Sequence, residues 1–128
     1  MKISEKRLEL EIGNKIVSFL KVQMGEATED VSTRIMEDTI VVKLKEALPP
    51  SERQLMKEPG GMRALEELKE KLLEDITPQL ENIVEELTYS TVTTSHSLID
   101  SRTGDRIIIF SLEENIRGEV VRKGSLDE

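Results

Sequence analysis

The side chains able to do chemistry are few and scattered. His96 is the single histidine of the chain. A catalytic or metal-binding imidazole needs a carboxylate or a metal beside it. Asp100 lies four residues on, about 13 Å away along an extended strand, so the two do not meet locally. Ser95 and Ser97 flank His96, but neighbours on a strand point to opposite faces, so no Ser-His dyad forms. Thr93, Thr94, Ser95 and Ser97 could bind a small anion or pair across strands. A ligand site here would draw on the loop from Ser97 to Asp105. Its candidate contacts are Thr94, His96, Asp100, Arg102 and Asp105. Arg34 and Lys43, together with Lys45, form a small basic patch that could meet an acidic partner or balance the acidic helices.

Carboxylates are abundant between Glu66 and Glu86. They flank an apolar stripe, which reads as a solvated helix face rather than an acid/base pair. Glu67 and Lys71 make an i,i+4 pair, while Glu70 and Glu74 repel. Gly60-Gly61 at a helix start could hold an anion on backbone N–H groups. No Lys-Ser/Thr follows it, so the pair reads as a break between helices. Cys is absent, which excludes thiol nucleophiles, disulfides and thiolate metal sites. No catalytic, cofactor-binding or metal-ligating constellation emerges, and the chain is read as a non-enzyme.

The elements that position these residues are easier to read. A chain of 128 residues is one domain by size and can bury a core without disulfides or metals. Aromatic residues are only 2 %, so the core is aliphatic and base-stacking platforms are lacking. A net charge of −8 also argues against nucleic acid, whose phosphates are bound by Lys and Arg. No run approaches the roughly 18 apolar residues of a membrane span. The polar start, Met1 to Arg7, has no apolar signal region. The expected location is cytoplasmic.

Leu8, Ile12, Ile16 and Phe19/Leu20 recur at helical spacing, predicting a helix from Ser4, its N-cap, to about Gln23, with Gly25 as the stop. Gly13 inside it is either a tolerated glycine or a point of close approach. Val31–Met36 and Thr39–Lys45 read as a hairpin. Pairing Val31 with Leu44, Thr33 with Val42 and Ile35 with Ile40 puts six residues on one dry face. Ser32, Arg34, Lys43, Met36 and Val41 take the other. Glu37-Asp38 is a two-residue turn or part of a four-residue loop.

Pro49-Pro50 ends the strand, and a short helix runs to about Lys57. Pro59-Gly60-Gly61 precedes a long helix whose stripe is Met62, Leu65, Leu68, Leu72, Ile76, Leu80, Ile83/Val84 and Leu87. The stripe keeps phase across Pro78, predicting one kinked helix. The alternative is a new helix capped by Thr77. Tyr89–Ile99 and Arg106–Leu112 read as a second hairpin of undetermined register. Its last strand is uniformly apolar and is expected to be buried on both faces. The chain then turns polar, and 116–128 is expected to be a mobile tail beyond a 1–115 domain. The expected fold is an α+β two-layer sandwich: about four mostly antiparallel strands in two hairpins, with helices on one face.

Leu48-Pro49-Pro50-Ser51-Glu52-Arg53-Gln54-Leu55 and Val84-Glu85-Glu86-Leu87-Thr88 carry a family resemblance. With Gly25, the Asp38–Leu44 strand, the Gly before the long helix and Thr103-Gly104-Asp105, they make the chain from Leu10 to Asn115 resemble the MpsC-like family of small bacterial proteins. That name refers to a sodium-translocating, membrane-potential-generating system. Met24-Gly25-Glu26-Ala27 stands where the family often has Gly-Arg-Gly-Pro, and Pro78 is atypical. The resemblance implies a soluble accessory or regulatory protein of a membrane ion or bicarbonate transport system. It would act through protein contacts as a homodimer, at most peripheral to the membrane through a transport-subunit partner. It implies no active site. The alternative is a small-ligand sensor with its pocket near the polar third strand and the 97–105 loop.

Overall fold

The computed structural model describes residues 2–116 and 120–121. The elements run β1 (Lys2–Ile3), α1 (Glu5–Met24), β2 (Asp30–Met36), β3 (Thr39–Lys45), α2 (Pro50–Met56), α3 (Gly61–Thr88), β4 (Val92–Ile99), β5 (Arg106–Leu112) and β6 (Val120–Val121). Four strands form one antiparallel sheet in the order β2-β3-β5-β4, and β1 pairs with β6. Three helices and this open sheet give the expected α+β arrangement. The β1–β6 pair was not foreseen. Ile116, the first residue of the expected tail, is buried; residues 117–119 and 122–128 lie outside the described residues.

α1 begins where the sequence places it. Ser4 is extended, and its hydroxyl accepts from the N–H of Arg7 at 3.1 Å, satisfying one of the helix's open donors. Gly25 closes the helix in the left-handed conformation, φ 63°, where the missing Cβ removes the steric cost. Leu8, Ile12, Ile16 and Leu20 are fully buried. Gly13 marks a close approach: a Cβ there would lie 2.6 Å from Thr33 Oγ1 and 3.3 Å from Val31 Cγ1. α1 therefore lies directly against β2.

The first hairpin has the expected register, Val31↔Leu44, Thr33↔Val42 and Ile35↔Ile40. Met36 pairs with Thr39, so the turn is Glu37-Asp38, with Glu37 at φ 60°. Ile40, Val42 and Leu44 face the helices and are fully buried, whereas Met36 is about half exposed on the other side.

α3 is one helix that runs through Pro78, not two. Thr77 Oγ1 donates to the Leu73 carbonyl at 2.8 Å, one turn before the missing proline N–H. At 28 residues the helix is about 42 Å long. Its buried face differs from the expected stripe in the first half. Leu65, Lys69 and Leu73 are buried, while Leu68 and Leu72 are exposed. On this face the Lys69 ammonium meets the buried Glu26 carboxylate.

β5 sits between β3 and β4, so its backbone is paired on both edges. Burial on both faces does not hold. Ile108 and Phe110 are buried under the helices, while Ile107 and Ile109 are half-buried on the side that no helix covers. β4 runs opposite β5 with Ser95↔Phe110, Ser97↔Ile108 and Ile99↔Arg106, and slips by one residue between Val92 and Thr94. The inner face of this edge strand is therefore Ser95, Ser97 and Ile99.

Candidate functional site

Two arrangements bring polar groups together. The first is a buried ion cluster at the end of the sheet where α1 stops. Arg106 Nε donates to Glu26 Oε1, and Lys69 Nζ donates to Glu26 Oε2 at 3.3 Å. Lys69 Nζ also lies 2.7 Å from Glu52 Oε1, a charge contact outside hydrogen-bond alignment. The side chains of Glu26, Lys69 and Arg106 are 1–2 % exposed, and that of Glu52 is 28 % exposed. Two acids and two bases balance, which is the condition for keeping such charges out of water. Arg106 Nη1 donates to Ser97 Oγ at 3.1 Å. Its Nη2 is buried with no acceptor among the described residues.

Beside the cluster, backbone hydrogen bonds join three loops. The Ala27 N–H bonds the Ala47 carbonyl at 2.8 Å, and the Ala47 N–H bonds the Gly104 carbonyl at 3.0 Å. Gly104 adopts φ 79° and packs under Arg53 and Leu48, so Thr103-Gly104-Asp105 meets Leu48-Pro49-Pro50. A depression of about 700 Å³ lies over this junction, bordered by Lys45, Glu46, Arg53, Thr103 and Asp105 among others.

The second arrangement is a groove between α3 and β4. One cavity of about 460 Å³ is bordered by Glu70, Leu73, Glu74, Thr77, Pro78 and Leu80 of α3, by Ser95, His96 and Ser97 of β4, and by Ile108 and Phe110. A second of about 210 Å³ continues it past Glu66, Glu70 and Leu73 to Ser97, Leu98, Ile99 and Arg106. Its floor is apolar and one wall is acidic.

The residues singled out from sequence do not converge. Arg34, Val41, Ile109 and His96 form one row across the uncovered sheet face. Arg34 and His96 thus stand at opposite edges, about 14 Å apart at three strand spacings. Thr94 is exposed opposite Ser111. Asp100 accepts from the Arg102 N–H at 2.8 Å and forms a loose ion pair with the Arg102 guanidinium at 3.9 Å. Asp105 is buried. Its Oδ1 accepts from the Glu46 N–H at 2.8 Å, and its Oδ2 lies 3.8 Å from Lys43 Nζ. Two pairs of these residues meet, Asp100 with Arg102 inside one turn and Asp105 with Lys43 across strands, and the Glu46 N–H bond to Asp105 holds the loop. No group of three or more His, Asp or Glu suited to a metal ion occurs among the described residues. Among the described residues no helix is long and apolar enough to cross a membrane.

Glu26, Glu52, Lys69 and Arg106 escaped the sequence reading. Lys69 carried a signal, since it sits four residues from both Leu65 and Leu73 and so shares their helix face. Arg106 opens an Ile run, where a cation needs a buried partner. Glu26 offered none.

Comparison with known proteins then gives one family and one relative. The chain is 32 % identical over 112 residues to "Uncharacterized protein YbcI" of Bacillus subtilis (strain 168), which spans 88 % of this chain and 90 % of that protein. No solved structure matches. Residues 4–114 match the family described as "Na+-translocating membrane potential-generating system (MpsC)", and the chain belongs to that family.

Proposed function

We propose that this protein is a cytoplasmic accessory or regulatory component of a bacterial membrane ion or bicarbonate transport system, acting through protein contacts. Membership of the MpsC family carries the reading, because the family's description names a sodium-translocating, potential-generating system. The supporting structural feature is a sheet with helices, among the described residues, on one side only. The uncovered side presents Val41, Ile107, Ile109 and Leu98 beside Arg34, Lys43 and His96, with Leu98 52 % exposed. An apolar face rimmed by polar residues is the form protein interfaces take. A second copy on this face gives the homodimer, and light scattering on size-exclusion fractions tests it.

The defining experiment is capture of the tagged protein from gently solubilised membranes of its host, against an untagged control. Enrichment of an ion or bicarbonate transport subunit supports the reading. Recovery of the bait alone overturns it.

A second reading, a small-ligand sensor, is favoured by the depression bordered by Thr103 and Asp105, where Arg53 Nε is buried without an acceptor among the described residues. Ligand-dependent shifts in melting temperature test it, and Arg53→Lys should remove any such shift.

A further inference from the structure

The two edges of the sheet are treated differently. At one edge, α1 lies against β2, and Glu9 Oε2 accepts from the Ile35 N–H at 2.8 Å. A free strand edge invites pairing with another chain, and covering it suppresses that. At the other edge, β4 has no strand beyond it among the described residues. Among the described residues its hydrogen bonds to α3 fall in its first half: Glu85 Oε2 accepts from the Val92 N–H at 2.8 Å, and Glu81 Oε2 from Ser95 Oγ at 2.6 Å.

From Ser95 onward the strand and helix part, and the groove opens between them. Three glutamates one helical turn apart, Glu66, Glu70 and Glu74, line the open part. They make no hydrogen bond or ion pair among the described residues. Five consecutive β4 residues, Ser95 to Ile99, border the cavities. Register places the side chains of His96 and Leu98 on the far face, so those two border the groove through their main chain. Arg106 borders the smaller cavity with Nη2 unmet.

We propose that this groove takes an extended, lysine- or arginine-rich segment of a partner protein as an added strand along β4. Main-chain pairing to β4 supplies the affinity that strand addition gives at an open edge. Basic side chains at alternate positions, about 6.6 Å apart, reach glutamates about 6 Å apart on the helix. Apolar side chains between them point to the opposite face, where they lie beside the exposed Leu98 on the uncovered side of the sheet. A carbonyl of the segment, or a water it traps, satisfies Arg106 Nη2.

The inference rests on the accessory reading and names the partner's chemistry. Cytoplasmic loops next to membrane spans carry an excess of Lys and Arg, the complement of this wall.

The test is anisotropy titration of the full chain with a fluorescein-labelled heptapeptide of alternating lysine and valine. A glutamate-valine analogue and an alternately N-methylated lysine-valine peptide serve as controls. The lysine peptide should bind, and both controls should bind at least tenfold more weakly. The triple variant Glu66→Gln, Glu70→Gln, Glu74→Gln should lose at least tenfold. Glu58→Gln, Glu113→Gln, Glu114→Gln, with the same change in net charge, should lose less than twofold. Equal loss in the two triple variants, or undiminished binding of the N-methylated peptide, overturns the proposal.

Membrane capture with the groove variant separates the two claims. Capture lost with the groove variant supports both. Capture retained overturns the groove and leaves the accessory role standing. Groove-dependent peptide binding with no membrane capture by the wild type supports the groove and removes the accessory role.

Discussion

Lys69 Nζ and Glu26 Oε2 meet at 3.3 Å with both side chains almost wholly withdrawn from water, although 43 positions separate them. The pair joins the middle of α3 to the loop that leaves α1. Arg106 joins β5 to the same carboxylate.

Breaking such a cluster costs more than the cluster adds, because the partners left behind stay buried and charged. Glu26→Ala strands both Lys69 and Arg106 and should lower unfolding free energy by about 3–5 kcal/mol. Lys69→Met removes one cation, leaves Glu26 paired with Arg106, and extends the Leu65–Leu73 face. It should cost less than half as much. Urea denaturation of the two variants gives the comparison.

Gly13→Ala pits two effects against each other. Helix propensity favours Ala by about 1 kcal/mol. The new Cβ, however, meets Thr33 Oγ1 at 2.6 Å, closer than unstrained atoms approach. Packing wins, and the variant should be destabilised by about 1–3 kcal/mol. Adding Thr33→Ala removes the nearest obstacle and should recover most of that loss in thermal melts.

The two adjacent glycines before α3 should respond unequally. Gly60→Ala meets nothing within 4 Å and pays only for its φ of 75°, about 1 kcal/mol. Gly61→Ala drives a Cβ into the Leu55 carbonyl, at 1.8 Å by geometry, and the backbone of α2 must move. Its melting temperature should fall by at least twice as much as that of Gly60→Ala.

One face of α3 should give opposite signs along its length. Glu70 has Glu66 and Glu74 as i,i+4 neighbours, and Glu70→Gln should stabilise by about 0.2–0.5 kcal/mol per relieved pair. That gain should shrink as salt is added. Glu85→Ala frees the Val92 N–H, and Glu81→Ala frees the Ser95 hydroxyl. Each should destabilise by about 1 kcal/mol.

Local rules were enough for much of the fold. Ser4, Gly25, Pro49-Pro50 and Gly60-Gly61 punctuate the chain where backbone chemistry demands it. The first hairpin's register follows from alternation alone, because a one-residue slip would move Val31, Ile35 and Leu44 out of the core. The phase of α3 was not legible, because apolar spacing favours Leu68 and Leu72, whereas a buried carboxylate captures Lys69. The second hairpin's register was hidden for a related reason. The inner face of β4 is Ser95 and Ser97, whose polarity only makes sense once Glu81 and Arg106 are known to face them. The groove was legible only in part: the polar strand drew notice, but its pairing with three uncompensated glutamates needs the third dimension.

The position of β5 has a consequence for synthesis. It is the last strand of the main sheet in the chain and lies at its centre, between β3 and β4. A nascent chain that has not yet released residues 106–112 holds β2–β3 and β4 with no strand to join them, and two raw edges stand open. Arg106, which closes the ion cluster, arrives in the same stretch. The sheet and the cluster therefore form together and late, and until then the unfinished chain is most exposed to wrong pairing.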